Sequence, residues 1–241
     1  MARGKQLSQL VEMLRAETGQ STSVSVGVSK LPELKQLLRR TQETLYDAYD
    51  WPFLRVQPFK NLSAGARYYD FPTDLDMERV EEVVVWWNGE PFPVKRGIGF
   101  ENYAAYDSAN DERTDPVTHW DVRWTGSDEQ IEVWPIPATT YTTTNKYRLQ
   151  FKGIRPLRTM VSDSDVADLD DQLIVLFAAA EILARQKSED AQAKQAKAVE
   201  RFNTLKGRTR GGSSMFVLGG GTGRDPQRTR GTVIRVTATG T

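Results

Sequence analysis

The chain has 241 residues, enough for one large domain or one domain with a small satellite, and its 39% hydrophobic and 27% charged residues are ordinary for a globular protein. This composition excludes wholesale disorder, the lack of cysteine excludes disulfides and zinc-thiolate sites, and no apolar run approaches the roughly 18 residues that a membrane span requires. We therefore expect a folded protein with no membrane segment, no cofactor and no metal.

The net charge is zero, but the charges are unevenly distributed. From Lys206 onward seven cations stand against the single acid Asp225, so this end carries +6 and the rest of the chain −6. An acidic body with a basic end indicates that the end binds an anionic surface. That surface could belong to another protein, to nucleic acid or to another copy of the chain.

Residues 1–52 are predicted to be mainly helical. Apolar residues at helical spacing indicate a short amphipathic helix over residues 6–17 and a longer helix that begins after Ser29, a plausible N-cap. The second helix should end near Trp51, because the residue before a proline disfavours helical backbone. Residues 18–29, rich in Ser, Thr, Gly and Val, predict an extended linker.

Residues 53–155 change to a period of two and predict an antiparallel β domain. Asn88 and Gly89 separate two apolar runs, and this pair favours a type I′ hairpin turn because both residues tolerate positive φ. A second hairpin is predicted around Gly126. Alternating apolar residues at Tyr147, Leu149 and Phe151 predict a closing strand.

Four bulky residues are predicted to contact a neighbouring subunit. Trp86 and Trp87 are adjacent in a predicted strand, so they point to opposite faces and cannot both enter one core. Val199 and Phe202 are the only large apolar residues in an alanine-rich stretch of helix. We therefore expect these residues at a subunit interface.

Residues 156–206 predict a long C-terminal helix that runs to about Leu205 and packs on the N-terminal helices. Five aspartates precede or open it, and negative charge there complements the helix dipole. A calcium loop is the alternative, but the stretch has neither the glycine nor the terminal glutamate of that motif. The aspartates are Asp163, Asp165, Asp168, Asp170 and Asp171.

Residues 207–241 predict an extended basic tail that a partner orders. Fixing this backbone costs on the order of 35 kcal/mol or more, whereas burying its apolar side chains returns about 15 to 20 kcal/mol. Two apolar, β-prone clusters flank a glycine-rich hinge over residues 219–223 and suit β-augmentation on a partner, with the repeated Arg-Thr-Arg-Gly as an electrostatic guide. The predicted partner-binding residues are Met215, Phe216, Val217, Leu218, Arg224, Arg228, Arg230, Val233, Ile234, Arg235 and Val236.

Two alternatives for the tail remain open. It could be a solvated terminus without a function, although such a terminus has little reason to keep two apolar clusters. It could also bind single-stranded nucleic acid through charge and stacking, but its one aromatic, Phe216, lies far from most of the arginines.

No motif in the sequence supports catalysis. His119 and Asp121 could form a base and its orienting group on one strand face, but no nucleophile accompanies them. The glycines of residues 219–223 and 97–99 lack the context of a phosphate-binding loop. A glycan-active site using Asp121 or Glu132 with tryptophan platforms would need a carboxylate pair that the sequence does not display. We expect a protein that is not an enzyme.

Taken in order, several segments resemble the head-to-tail connector, or adaptor, proteins of tailed bacteriophages, of the tail tubular or tail accessory factor type. The leucine-rich helix ends in YDAYDWPF, residues 46–53, and the β region begins with YYDFPTDLDMERVEEVVVW, residues 68–86. The Asn88-Gly89 turn and the alanine-rich helix of residues 169–202 complete the resemblance.

The resemblance implies a structural virion protein at the head-tail junction, assembled in the host cytoplasm. It implies a homo-oligomeric ring, typically a dodecamer, attached to the portal protein and linked to a tail nozzle or tube protein, with a channel for DNA. The C-terminal tail would then be the portal-binding arm. Another head-completion or minor tail subunit is the alternative. The predicted fold class is α+β, a helical bundle with an inserted antiparallel β domain and an extended C-terminal tail.

Overall fold

A computed structural model of the chain describes residues 3–21, 30–106 and 110–209. Within them lie five α-helices, nine strands and two short 3-10 turns, at Pro52–Leu54 and Met77–Arg79, so the predicted α+β class is confirmed. The helices are α1 (Leu7–Glu17), α2 (Leu31–Asp47), α3 (Phe100–Ala105), α4 (Asp171–Arg185) and α5 (Asp190–Thr209). The strands are β1 (Arg55–Val56), β2 (Phe59–Asn61), β3 (Tyr68–Tyr69), β4 (Val80–Trp87), β5 (Glu90–Pro93), β6 (Lys95–Arg96), β7 (His119–Trp124), β8 (Glu129–Trp134) and β9 (Arg148–Ile154).

Four helices, α1, α2, α4 and α5, pack around one apolar core. The heptad-like leucines of α1 and α2 face inward, as their spacing predicts, and meet the apolar face of α4. Trp51 closes this core at the end of α2, where it is buried and its indole Nε1 donates to the Leu45 carbonyl at 2.9 Å.

The β domain consists of two sheets that share a second core. In one sheet β9 lies between β4 and the short strands β1 and β2, with β5 at the far edge. The other sheet has the order β3-β8-β7-β6, and its β6–β7 pair is parallel, a departure from the all-antiparallel prediction. Trp120 of one sheet packs edge to face on Phe151 of the other at 6.1 Å, which ties the two sheets together.

The predicted hairpins are present. Asn88 and Gly89 join β4 to β5 with φ values of 50° and 88°, both positive as a type I′ turn requires. Gly126, with φ of 105°, lies in the loop between β7 and β8. Tyr147, Leu149 and Phe151 are fully buried, as their alternation predicts.

The predicted single C-terminal helix is wrong, because the structure divides it into α4 and α5. Lys187 adopts a left-handed backbone with φ of 54°, and the Ser188 amide donates to the Leu183 carbonyl at 3.0 Å, which ends α4. The chain then reverses, and Arg201 of α5 donates to Asp170 at the start of α4 at 2.7 and 2.9 Å. Folding back buries Ala198 and Leu205, which one straight helix would leave exposed.

The second helix is also shorter than predicted. α2 ends at Asp47 rather than near Trp51. The residues that follow leave helical backbone early, so that Trp51 can turn into the helical core.

A polar junction connects the helical bundle to the β domain. The Tyr46 hydroxyl donates to Asp76 at 2.6 Å, and Arg79 Nη1 donates to the Tyr46 carbonyl at 2.8 Å while its guanidinium lies 4.1 Å from the Tyr46 ring centroid. Burial, followed by the hydrogen bond to Asp76, raises the pKa of Tyr46 above its usual range. The junction therefore holds Tyr46 as a neutral hydrogen-bond donor.

Several predictions lie outside the described residues. They are residues 22–29 of the predicted linker and the tail from residue 210 onward. Residues 207–209, predicted as the start of the tail, instead continue α5. The N-cap of α2 is Lys30 rather than the predicted Ser29.

Candidate assembly interface

The outer face of α5 carries an unusual set of exposed side chains. Ala193, Ala196 and Val199 are exposed there, and Val199 retains 42% of its accessible surface. Their neighbours along this face are mostly neutral, with Gln192, Gln195, Asn203 and Thr204 around Val199 and Glu200 as the one charged side chain of that lining. Small apolar and neutral side chains let helices approach closely, so this face suits contact with another protein surface.

An apolar groove adjoins that face, where α2, α4 and α5 meet. It has a volume of about 380 Å³, and Gln195 lies on both the groove and the α5 face. At its rim, Arg40 of α2 pairs with Glu181 of α4. The floor is formed by Leu45, Ala48, Phe177, Ala180, Ala184 and Phe202.

The structure places the predicted interface residues Val199 and Phe202 differently. Val199 is exposed on the α5 face, whereas Phe202 is half-buried and packs edge to face on Trp51 at 5.9 Å and on Tyr49 at 6.4 Å. Phe202 thus belongs mainly to the helical core, and only its remaining surface lines the groove.

Trp86 and Trp87 point to opposite faces of β4. Trp87 packs on the β-domain core, with its ring centroid 4.7 Å from that of Tyr147. Trp86 lies on the outer face, where its indole nitrogen donates to Gln150 at 2.7 Å and the side chain is half-buried. Of the pair, Trp86 is the residue that could meet a neighbour.

The outer face of the second sheet holds a buried carboxylate. Glu132 is fully buried and accepts hydrogen bonds from Arg67 Nε and Arg123 Nε at 2.7 Å each and from the Tyr103 hydroxyl at 2.8 Å. Burial alone would raise the pKa of Glu132, but these donors outweigh it and lower the pKa below its usual range. The side chain is therefore a structural anion that fixes α3 on the sheet.

An exposed aromatic surface borders this cluster, and the sequence reasoning missed it. Trp124 is 64% exposed and Tyr68 is 41% exposed. They line a shallow depression together with Arg67, Tyr103 and Arg123. Trp124 alternates with the core residue Trp120 along β7, but it lies at the end of the strand, where it is exposed.

The residues that the sequence offers for catalysis have structural partners. Asp121 lies opposite Glu132 in the register of β7 and β8, and it accepts the Val122 amide at 2.8 Å. His119 Nδ1 lies 2.9 Å from the Thr118 hydroxyl. A glycosidic acid requires a raised pKa, whereas the pKa of Glu132 is lowered.

The aspartates before α4 also have structural partners. Asp168 accepts Arg155 Nη2 at 2.6 Å and Arg158 Nε at 2.8 Å, while Asp170 caps α4 by accepting the Leu173 amide at 3.0 Å. Asp163 pairs with Lys35. The stretch therefore organises the helix start, as its charge pattern predicts.

Two kinds of feature are absent from the described part of the chain. No group of three or more His, Asp or Glu side chains is arranged there to hold a metal ion. None of the helices described is long and apolar enough to cross a membrane.

Comparison with family models gives a match over most of the chain. A family model described as SU10 adaptor protein matches residues 5–222. No curated protein matches the chain.

Proposed function

Because the chain belongs to the SU10 adaptor protein family, we propose that it forms a ring between the portal and the tail of a bacteriophage. The membership confirms the resemblance to phage head-to-tail adaptors that the sequence suggested. The protein is thus a structural component of the phage virion that associates with other head and tail components. The ring, its partners and its DNA channel are the proposed part.

In the proposed assembly, copies join around a closed ring, a dodecamer by family resemblance, and DNA passes through the centre without sequence-specific binding. A ring of this kind needs heterologous contacts, in which one surface of a copy meets a different surface of the next. The exposed face of α5 around Val199 supplies one such surface. Trp86 on the outer face of β4 is the second candidate surface.

The basic tail is the proposed portal-binding arm, and a tail nozzle or tube protein is the proposed partner below. Repetition of the arm on every copy would make weak docking collectively strong. The −6 charge of the rest of the chain suits a channel that does not retain DNA. No step in this function requires catalysis.

The observation that carries the ring proposal is the largely neutral, partly apolar face of α5. We predict that Val199→Glu leaves a folded protein that no longer forms rings with the portal, because a carboxylate would be buried unpaired at the contact. Lys197→Glu is the comparison, since Lys197 is exposed on the same helix but does not line the surface around Val199.

Native mass spectrometry and electron microscopy of portal complexes would count the copies for each variant. Rings of full size with Val199→Glu would refute the assignment of this face. A closed assembly of other symmetry, or no portal complex with the unaltered chain, would favour the alternative of another head-completion or minor tail subunit.

The arm is tested by removing residues 210–241, which leaves α5 intact. We predict that circular dichroism and thermal stability show a folded body, while binding to purified portal falls at least about tenfold. Unchanged portal binding would eliminate the tail as the arm. Steep salt-dependent binding of DNA by the isolated tail would instead support the nucleic-acid alternative.

A further inference from the structure

The groove between α2, α4 and α5 is an apolar surface next to the point where the tail begins. Phe202, on its floor, lies seven residues before Thr209, the last residue of α5. At about 1.5 Å per residue this places Phe202 roughly 10 Å back along the helix from Thr209. Phe216 lies seven residues beyond Thr209, and that length of extended chain reaches about 23 Å. A chain that reverses after α5 can therefore bring Phe216 into the groove.

The sequence at the reversal point favours such a turn. Residues 211–214 are Gly-Gly-Ser-Ser, which are typical of turns because glycine adopts left-handed backbone without strain and serine bonds its own backbone. Met215, Phe216, Val217 and Leu218 follow at once.

The two apolar clusters of the tail differ in the charge around them. Residues 211–223 contain no charged side chain, whereas residues 233–236 include Arg235 and lie shortly after Arg230. The groove has an apolar floor, and the charges at its rim are paired with each other, Arg40 with Glu181 and Glu181 with Arg185. A neutral segment loses no charge solvation on entering it, while a cationic segment would find no free anion there.

The volume of the groove is also suitable for binding a compact apolar group. At about 380 Å³ it lies within the range of pockets that enclose a compact apolar ligand. A segment of the same chain reaches it at a high effective concentration, because the connecting stretch is short.

From these observations we propose that residues 215–218 fold back into the groove of their own chain and that residues 233–236 remain for the external partner. The first cluster fixes the root of the arm to the α4–α5 hairpin, and the glycine-rich residues 219–223 become the hinge from which the outer arm extends. The proposed groove contact involves a single chain and does not depend on the proposed function. Only the role assigned to residues 233–236 depends on that function.

The test uses the absence of native cysteine. Ala48 lines the groove together with Phe202 and is exposed, so Ala48→Cys and Ser214→Cys are introduced together in the full-length chain. A short bis-maleimide should join them within one chain, and gel mobility reports the product. Adding Phe216→Ser should slow this reaction about tenfold or more, as expected for the loss of one buried phenylalanine side chain. Ile234→Ser, which alters the second cluster, should leave the rate unchanged.

Comparing the double-cysteine chain with and without Phe216→Ser separates docking from simple proximity. The substitution does not change the length of chain between the two cysteines. Equal rates with and without Phe216→Ser would overturn the proposal. A dominant cross-linked dimer that grows with protein concentration would overturn it too, and would assign the groove to a second copy. The reaction needs no portal, so its failure would leave the proposed ring and portal arm untouched. Loss of portal binding is measured separately, with Ile234→Ser.

Discussion

Asp168 and Asp171 lie three residues apart, yet their surroundings act on them in opposite directions. Burial alone would raise the pKa of Asp168, but hydrogen bonds from Arg155 and Arg158 outweigh it and lower the pKa. Asp171 is 1% exposed, and its Oδ2 has no hydrogen-bond partner. Burial and the neighbouring Asp170 raise the pKa of Asp171, despite a backbone hydrogen bond from Lys5. One carboxylate is thus stabilised as an anion and the other is not.

Asp171→Asn should therefore stabilise the protein at neutral pH. A raised folded-state pKa means that the folded chain binds more protons than the unfolded chain between the two pKa values, so stability falls as pH rises through that window. The neutral amide removes this loss, and the stability of the variant should no longer fall across the window. Urea unfolding at a series of pH values would measure it. Lower stability of Asp171→Asn at pH 7 would show that the charge at the helix start outweighs the burial.

Asp168→Asn is the matched comparison, and we expect it to lower the stability of the protein rather than raise it. With a lowered folded-state pKa, Asp168 contributes stability above the unfolded pKa, and that contribution is lost as pH falls through the folded pKa. Its loss should cost about 3 kcal/mol at neutral pH, the lower end for breaking a buried ion pair, because both guanidiniums keep contact with water. A cost below about 1 kcal/mol would contradict this account.

At the scale of elements, the break between α4 and α5 decides the shape of the helical bundle. It depends on a non-glycine residue, Lys187, in left-handed backbone. That conformation is strained for any residue with a Cβ, and glycine adopts it freely.

Lys187→Gly should therefore stabilise the protein by about 0.5 to 1 kcal/mol. This is a net value: relief of the backbone strain in the folded state, less the cost of the greater freedom of glycine in the unfolded chain. Lys187→Ala keeps the strained Cβ and should leave stability nearly unchanged, so it isolates the backbone effect from loss of the side chain. The midpoint of urea unfolding measures both variants. If residues 171–205 were one continuous helix, Lys187→Gly would instead cost about 1 kcal/mol, so the sign of the change tests the break.

The elements that the sequence predicts well depend on neighbouring residues. Asn88 and Gly89 specify their turn by their own backbone preferences, and the alternation of Tyr147, Leu149 and Phe151 reflects the geometry of a single strand. The break at Lys187 carries no glycine or proline to mark it. The only local signals are Ser188 and the acids that follow, which suit a helix start.

The features that the sequence could not predict depend on residues far apart in the chain. Glu132 gathers Arg67, Tyr103 and Arg123 from separate segments, and no spacing connects them before the sheet forms. The groove floor likewise combines three helices, one of which exists only because the C-terminal helix is divided. Val199 could be singled out as an exposed apolar residue, whereas Phe202 could not be assigned to the core without knowing that α5 folds back onto Trp51.

At the scale of the whole molecule, two apolar cores are joined by a small polar junction. The helical core and the β-domain core have different members, and Ile154 at the end of β9 belongs to the helical one. Ile154 also accepts the Asp76 amide at 2.8 Å, next to the bond between Asp76 and Tyr46. The bundle and the β domain should unfold together only as long as this junction holds.

Tyr46→Phe should therefore weaken the coupling between the two cores while leaving each of them packed. The substitution removes the hydroxyl that donates a hydrogen bond to Asp76. Losing a hydrogen bond to a charged group costs about 1.5 to 3 kcal/mol. The ring stays in place against Arg79. We expect two probes to give separate thermal midpoints in this variant: circular dichroism, which measures helix loss, and tryptophan fluorescence. In the unaltered protein the two probes should give the same midpoint.

Tyr69→Phe provides the control, because the Tyr69 hydroxyl bonds the Ser63 and Ala66 carbonyls within the β domain alone. It should lower stability without separating the two midpoints. Coincident midpoints in Tyr46→Phe would show that other connections, such as the hydrogen bond from the Arg155 amide to the Leu54 carbonyl, couple the cores without the junction. Separate midpoints would mean that the Tyr46 hydroxyl carries much of the coupling between the two cores.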